Sequence, residues 1–291
     1  MSLAQLLNVG WSGIWLGTLY GAIGVGLVLS FRSARLVNLS LGPVLVFGGM
    51  LAAWVQTHGG TTAGGVLAAS AAGAALSLAQ ETAMLRRLRG ASGSMLLLAT
   101  LSASIIVAGL IVIFFGRDPV TGEGLVGGSL SLGGWSASWD SIVFVAVVVG
   151  ASTLLWAFAE ASPYGKAVSA SGHDPAAAAM LGIDVRLLRS LVMGLIGGLV
   201  GLAGGLFLPL AVLDFSIGLR LTLFGFVAGA VFGYESLPGA LLGGWLFGLL
   251  DAFGTAYVSS VFSEAVAFGA LLVLIVAGRR LLLFESILRW T

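Results

Sequence analysis

A chain of 291 residues that is 58% hydrophobic and only 9% charged, with mean hydropathy +1.09, cannot cover itself with a water-facing surface, because soluble domains are about 25% charged. Its net charge of +1 gives no nucleic-acid signal, and the absence of cysteine excludes a disulfide framework and a thiolate metal site. His58 and His173 lie too far apart in sequence for a metal-ligand spacing.

Repeated apolar runs of about 20 residues match what a ~30 Å hydrocarbon core asks of a helix. Open backbone finds no partner in lipid, so the spans are expected to be helical. The fold class is therefore an all-α polytopic membrane protein. The N-terminus, MSLAQLLNVGW, has no basic n-region and no small-residue cleavage site, so the first span is expected to stay in the mature protein.

In chain order the spans fall near 11–31, 43–56, 64–85, 95–115, 140–160, 187–209, 219–233, 237–256 and 264–284. Several are short, which predicts eight to ten crossings with some broken or re-entrant helices. Lys and Arg follow the first, third and fifth spans (Arg32 and Arg35; Arg86, Arg87 and Arg89; Lys166, Arg186 and Arg189), and Arg279 and Arg280 close the last. The loops between, THGGTTAGG and GRDPVTGEGLVGGSLSLGGWSASWD, are poor in positive charge. Cationic loops favour the cytoplasm, which places the N-terminus outside and the C-terminus inside.

Between the first two spans, NLSLGP breaks the apolar pattern. Asn38 and Ser40 with Gly42 and Pro43 interrupt the apolar sequence, and Ser40 or Asn38 is expected to cap the half-helix that follows, aiming its positive end at a passing solute. Ordinary capping of a membrane span explains the same residues equally well. SLPGALLGG at 236–244 loosely echoes SLGPVLVFGG at 40–49, as an internal repeat would.

Glycine totals 45 residues, about twice its usual share, and recurs at helical spacing in 194–205 and 239–248. Small residues let membrane helices approach closely. Tight packing is the plain reading; helices that slide around a pathway are the other.

Ionisable residues inside spans are few: Asp251, Glu264 near the start of the last span, and Gln80–Glu81 near a cytoplasmic end. Ion-coupled carriers keep such groups near the midplane. A bond to a neighbouring helix accounts for Asp251 as well, and an interfacial cluster with Arg86 and Arg87 accounts for Glu81. No GxxxxGK[ST] phosphate loop and no nucleophile–base pair is present, so the chain is not expected to bind ATP or to be an enzyme.

Residues 162–189, SPYGKAVSASGHDPAAAAMLGIDVRLLR, carry paired helix punctuation. Ser162 is placed to cap a helix that Pro163 begins and Gly172 ends; Asp174 to cap a second that Pro175 begins and Gly182 ends. The second helix spans about two turns, and isolated helices below ~12 residues are marginal in water. It therefore needs something to pack on. Ala176–Leu181 would offer an apolar knob either to the cytoplasmic ends of its own bundle or to a soluble partner.

This segment resembles the cytoplasmic loop of branched-chain amino acid-type ABC importer permeases, with Gly165, Lys166, Ala167, Ala178, Gly182 and Ile183 on its pattern. LVNLSLGPVLVFGG at 36–49 is similar to the family's N-F-A-x-G signature, and AGAVFGYESLPGALLGGWLFG at 228–248 to its glycine-rich segment. The resemblance implies one permease domain over 1–291, type II ABC importer-like, with a coupling segment at 162–186. It implies a second permease subunit, identical or homologous, two cytosolic ATPases that carry ATP and Mg, and an external solute-binding protein, in a bacterial inner membrane. No cofactor is implied on this chain. It makes 174–182 the coupling helix, with Tyr164, Gly165, Lys166, His173, Asp174, Ala178, Met180 and Gly182 as ATPase-coupling residues; Asn38, Ser40, Gly42 and Asp251 are the pathway candidates read from the residues themselves. Leu41-Gly42-Pro43 replaces the family's H-G-(E/D), and FGYES stands where it prefers glycines. These departures leave leucine-type amino acids beside amides, urea, other carboxylates or a more apolar solute. A stand-alone carrier or channel using Asp251 is the alternative.

Overall fold

A computed structural model describes residues 3–88, 90–132, 134–234 and 236–257, with residues 265, 268 and 269 beyond them. The expected last span, Glu264, Arg89, Glu235, Arg279 and Arg280 lie outside the described residues.

The described chain runs α1 (Leu3–Ala34), α2 (Leu41–Thr57), α3 (Thr62–Ala83), a 3-10 turn (Leu85–Leu88), α4 (Gly93–Phe115), β1 (Ser129–Leu132), β2 (Trp135–Ser138), α5 (Trp139–Ala161), α6 (Pro163–His173), α7 (Pro175–Met180), α8 (Val185–Phe207), α9 (Gly218–Val231) and α10 (Leu237–Tyr257). Among the described residues six helices are long and apolar enough to cross a membrane, and α2 and α9 are shorter apolar helices. These eight correspond in order to the first eight expected spans. The chain is a multi-pass helical membrane protein.

Glycine seams let these helices approach. On α1, Gly13, Gly17 and Gly21 meet the backbone of α10 at Leu249, Gly244 and Leu241, while Gly244 and Gly248 face back onto Gly17 and Gly13. The glycine stripe of α8 works on two sides. Gly197 and Gly201 meet α3 at Gly73 and Ala69, and Gly204 meets the Leu45 carbonyl of α2. A Cβ at these points would crowd or overlap the neighbouring backbone, so close packing accounts for these seam glycines.

Two features depart from unbroken spans. After α8 the chain turns back: Leu213 exchanges backbone hydrogen bonds with Val120 (2.9 Å each way) and packs, fully buried, against Gly49 of α2. As a result α9 starts at Gly218 beside Pro43. Leu208 and Leu213 are buried in this irregular segment, while Val212 and Ser216 are exposed. The all-α expectation also missed a hairpin. β1 and β2 pair antiparallel from Ser129↔Ser138 to Leu132↔Trp135, with Gly134 at φ +90° between them. Alternating Leu/Ser and Trp/Ala around Gly-Gly is a hairpin pattern. Asn8 of α1 clamps it, accepting from Ser136 N (2.9 Å) and donating to the Gly134 carbonyl (3.3 Å).

Side-chain ties gather the cationic helix ends at one end of the bundle. Arg32 pairs with Glu160 at 2.7 Å, Arg86 donates to Ser190 at 2.9 Å, and Arg189 donates to the Ser33 carbonyl at 3.2 Å. The end of α1, the ends of α3 and α5, and the start of α8 therefore lie together.

Candidate functional site

At this cationic end α6 and α7 form a helix–turn–helix whose caps follow the expected chemistry. Ser162 accepts from Gly165 N (2.9 Å), and Pro163 opens α6 without forfeiting a hydrogen bond. Asp174 Oδ1 accepts from both Ala176 N and Ala177 N at 2.9 Å. At the far end of α7, Gly182 takes φ +81°; its N–H donates to Ala179 O (3.0 Å) and Ile183 N–H to Ala178 O (3.2 Å). This pair is the Schellman closure, which an L residue with a side chain adopts only under strain. Asp184 then caps α8, accepting from Arg186 N (2.9 Å) and Leu187 N (3.1 Å). That third cap was not read from the sequence, although an Asp one residue before an apolar run is a sufficient signal.

Gly172 corrects the expectation. It does not end α6, which continues to His173; instead a Cβ at Gly172 would overlap the Arg32 carbonyl oxygen. Its role is close approach to α1, and Asp174, in extended backbone, stops the helix. Gly165 likewise lies against the Phe158 and Ala159 carbonyls at the end of α5. Arg189 adds a strap, donating to the carbonyls of Ser33 (3.2 Å) and Ser171 (3.4 Å). So α6 is fixed to α1, α5 and α8. Arg189 had been read only for orientation.

The candidates split by face. Gly165 and Ala178 are buried toward the bundle. Tyr164, Lys166, His173 and Asp174 are exposed, and His173 Nδ1 contacts Ser169 O at 2.9 Å. Met180 is 83% exposed and Leu181 81%. Ala178 and Ile183 anchor α7 to its own bundle, the first of the two choices left open for this helix, while Met180 and Leu181 project away from it.

The segment at 38–43 is buried. Asn38 Oδ1 accepts from Ser40 N at 3.0 Å and lies 2.7 Å from Ser40 Oγ, which lies 2.6 Å from Gln80 Oε1. One hydroxyl proton serves one of these contacts. Both are made when the Gln80 amide is turned so that its nitrogen donates to Ser40. Neither Asn38 nor Ser40 caps α2 with its side chain, contrary to expectation. The cap comes from α9: Thr222 Oγ1 accepts from Gly42 N at 2.8 Å. Gly42 is required there because a Cβ would overlap the Gly218 carbonyl. Thr222 was missed; an isolated hydroxyl in the apolar run GLRLTLFGF was its signal. Among the described residues Asn38 Nδ2 has no partner.

Asp251 lies elsewhere, in the α1–α10 seam. Tyr20 donates to its Oδ2 at 3.1 Å, and Tyr20 packs against Phe224 and Phe247. Asp251 is thus bonded to a neighbouring helix and is not brought together with Asn38, Ser40 and Gly42. Glu81 is buried, while Arg86 is directed to Ser190 and Arg87 is exposed. Among the described residues no group of His, Cys, Asp and Glu is arranged to hold a metal ion.

Residues 11–276 match the family model described as branched-chain amino acid transport system / permease component. The high-affinity branched-chain amino acid transport system permease protein LivH of Salmonella typhimurium is 25% identical over 94% of this chain and 92% of its own length. The corresponding permease protein BraD of Pseudomonas aeruginosa is 25% identical over the same shares. A probable LivH of Methanocaldococcus jannaschii is 30% identical over 50% of this chain and 45% of its own. Among solved structures, PsaBC from Streptococcus pneumoniae in complex with Fab is aligned over 93% of this chain and 89% of that one, at 14% identity and a TM-score of 0.49. The chain belongs to the branched-chain amino acid transport system permease family.

Proposed function

We propose, with that membership as the premise, that the chain is the membrane subunit of an ATP-binding cassette importer and that α7 is the helix through which separate ATPases drive it. The observation that carries this reading is the pairing of a rigid mount with an exposed tip. Caps at Ser162, Asp174 and Gly182 fix both helices, α6 is seated on three transmembrane helices, and Met180 and Leu181 are exposed among the described residues. A helix of six residues is too short to persist through its own hydrogen bonds, so its fixed caps and buried Ala178 favour a lever over a linker. Two such large apolar side chains on a polar face suit a soluble partner's groove.

In this reading the cationic end is cytoplasmic, the N-terminus is outside and the C-terminus inside, in a bacterial inner membrane. The working assembly contains a second permease subunit, identical or homologous, two cytosolic ATPases holding ATP and Mg, and an external solute-binding protein. The solute crosses near the interface with the second permease. Asn38, Ser40 and Gly42 belong to the pathway-facing part of each subunit, where the unpartnered Asn38 amide supplies a donor once the helices part. Relatives named for branched-chain amino acids make leucine, isoleucine and valine the first cargo to test, ahead of amides and urea.

Reconstitution of the assembly in proteoliposomes, with and without the ATPases, tests the reading. Uptake that requires both ATP and the ATPases supports it. Uptake that persists without them and follows a proton gradient contradicts it, and would return the chain to the class of stand-alone carriers using Asp251.

A further inference from the structure

Arg220 stands on the face of α9 that the bundle leaves open. Gly218, Thr222, Phe224 and Gly225 are buried against α2, α1 and α10, whereas Leu219, Arg220, Leu223 and Phe226 are exposed. The depth of Arg220 follows from its neighbours. Phe224, one turn further on, packs against Tyr20 near the midpoint of α1, and Gly225 lies against Ile23 and Gly24. From there α9 runs beside α1 toward the cationic end, where Tyr234 packs against Phe31. At 1.5 Å per residue Arg220 lies roughly 20 Å short of the end of α1 at Ala34, well inside a ~30 Å hydrocarbon core.

The approach to α9 is polar on its open side as well. Residues 208–217 are irregular, Ser216 is exposed, and Asp214 Oδ1 accepts from Ser216 N at 2.6 Å. Lipid offers no partner to open backbone. An arginine at this depth is also too far from the interface to snorkel, and such residues face a bundle interior or a water-filled cavity. The contrast is with α4 and α5, which expose Ile105, Ile106 and Leu154 and carry no charged residue between 93 and 115 or between 141 and 159. That surface suits lipid; the open face of α9 does not. The same turn of α9 is tied to the buried 38–43 segment, since Thr222 caps α2 at Gly42.

We infer that Arg220 lines a water-filled path on the face that α9 turns toward the second permease subunit, and that its guanidinium makes this path favour anionic over cationic small molecules. A fixed positive charge between low-dielectric walls concentrates anions and repels cations. Leu219, Leu223 and Phe226 supply the apolar wall around it. The inference rests on the transport reading, which supplies the second subunit; it adds the face that subunit meets and the residue that sets the charge of the path.

The chain contains no cysteine, so a single introduced thiol reports one position. The test places Arg220→Cys or Leu223→Cys in the full assembly, reconstituted in lipid nanodiscs that leave both sides open. Two membrane-impermeant methanethiosulfonates are applied, one bearing a sulfonate and one a trimethylammonium group, and labelling of this chain is followed by mass spectrometry. Ile106→Cys and Leu154→Cys are the lipid-facing references. All four positions are exposed, and the unfolding temperature of each variant checks that folding is kept. Thiols at 220 and 223 should react at least about tenfold faster than the references, because only a hydrated thiol forms the reactive thiolate. In Leu223→Cys the sulfonate-to-trimethylammonium rate ratio, scaled to a free thiol in solution, should fall about fivefold when Arg220→Gln is added and be kept by Arg220→Lys. Reference-level rates at both positions, or a ratio unchanged by Arg220→Gln, overturns the inference. ATP-dependent uptake by the wild-type assembly in proteoliposomes separates the two claims. Reference-level labelling with that uptake intact overturns the path alone; fast labelling with uptake independent of the ATPases supports the path and overturns the transport reading.

Discussion

Gly172 of α6 sits directly on the carbonyl oxygen of Arg32 at the end of α1, so closely that no side chain fits between them. That contact packs the mount of α7 on the first transmembrane helix, and Arg32 in turn pairs with Glu160 of α5. Gly172→Ala forces the helices apart, at a cost of about 1–3 kcal/mol for overpacking. The expected result is a lower unfolding temperature and weaker coupling of ATP hydrolysis to uptake. Unfolding and coupling assays on the purified assembly check both, and wild-type values would remove the contact from the mechanism.

The caps of α7 make a second, separable prediction. Asp174→Ala removes an acceptor shared by two N–H groups, worth about 1 kcal/mol, and Gly182→Ala forces a side chain into φ +81° at a similar cost. Each should speed amide exchange across 176–183 about fivefold while leaving α1 and α8 protected. Coupling should fall in proportion, with the protein still in the membrane.

How far the sequence carries the fold depends on whether a signal is local. The caps at Ser162 and Asp174 and the closing Gly182 were legible because each acts within four residues of itself. Gly172 was misread because a close-approach glycine and a helix-ending glycine look the same until the partner carbonyl is known. Thr222, Arg189 and Gln80 act across 180, 156 and 40 residues respectively, so one sequence gave no means of pairing them. The sequence suggested broken helices without locating the irregular segment before α9, because Leu213 is held by Val120 and packs against Gly49, both distant in sequence.

The buried start of α2 yields a third prediction. Thr222→Val withdraws the acceptor for Gly42 N and should cost about 1–2 kcal/mol in stability. Thr222→Ser should recover most of it. Asn38→Leu should instead impair uptake while leaving co-purification with the ATPases intact. Normal uptake kinetics in that variant would restrict Asn38 to holding the turn through Ser40.

Asp251 separates the two drive mechanisms. Its carboxylate accepts from the Tyr20 hydroxyl across the α1–α10 seam, so Tyr20→Phe should destabilise the bundle by about 1–3 kcal/mol through loss of a buried donor. Asp251→Asn should leave uptake dependent on ATP and insensitive to an imposed proton gradient. Gradient-driven uptake that disappears with Asp251→Asn would assign the residue to ion coupling.

The exposed tip tests the account most directly. Met180 and Leu181 contribute little to the bundle, at 83% and 81% exposure, so Met180→Asp/Leu181→Asp should leave the unfolding temperature of the chain within about 1 °C of wild type, as expected for surface positions. The measurement is co-purification of the ATPases with this double variant, alongside ATP-dependent uptake by the reconstituted assembly. The account predicts at least a tenfold loss of both with the membrane subunit intact. Wild-type ATPase binding and uptake in the variant would contradict the assignment of α7 as the driven helix.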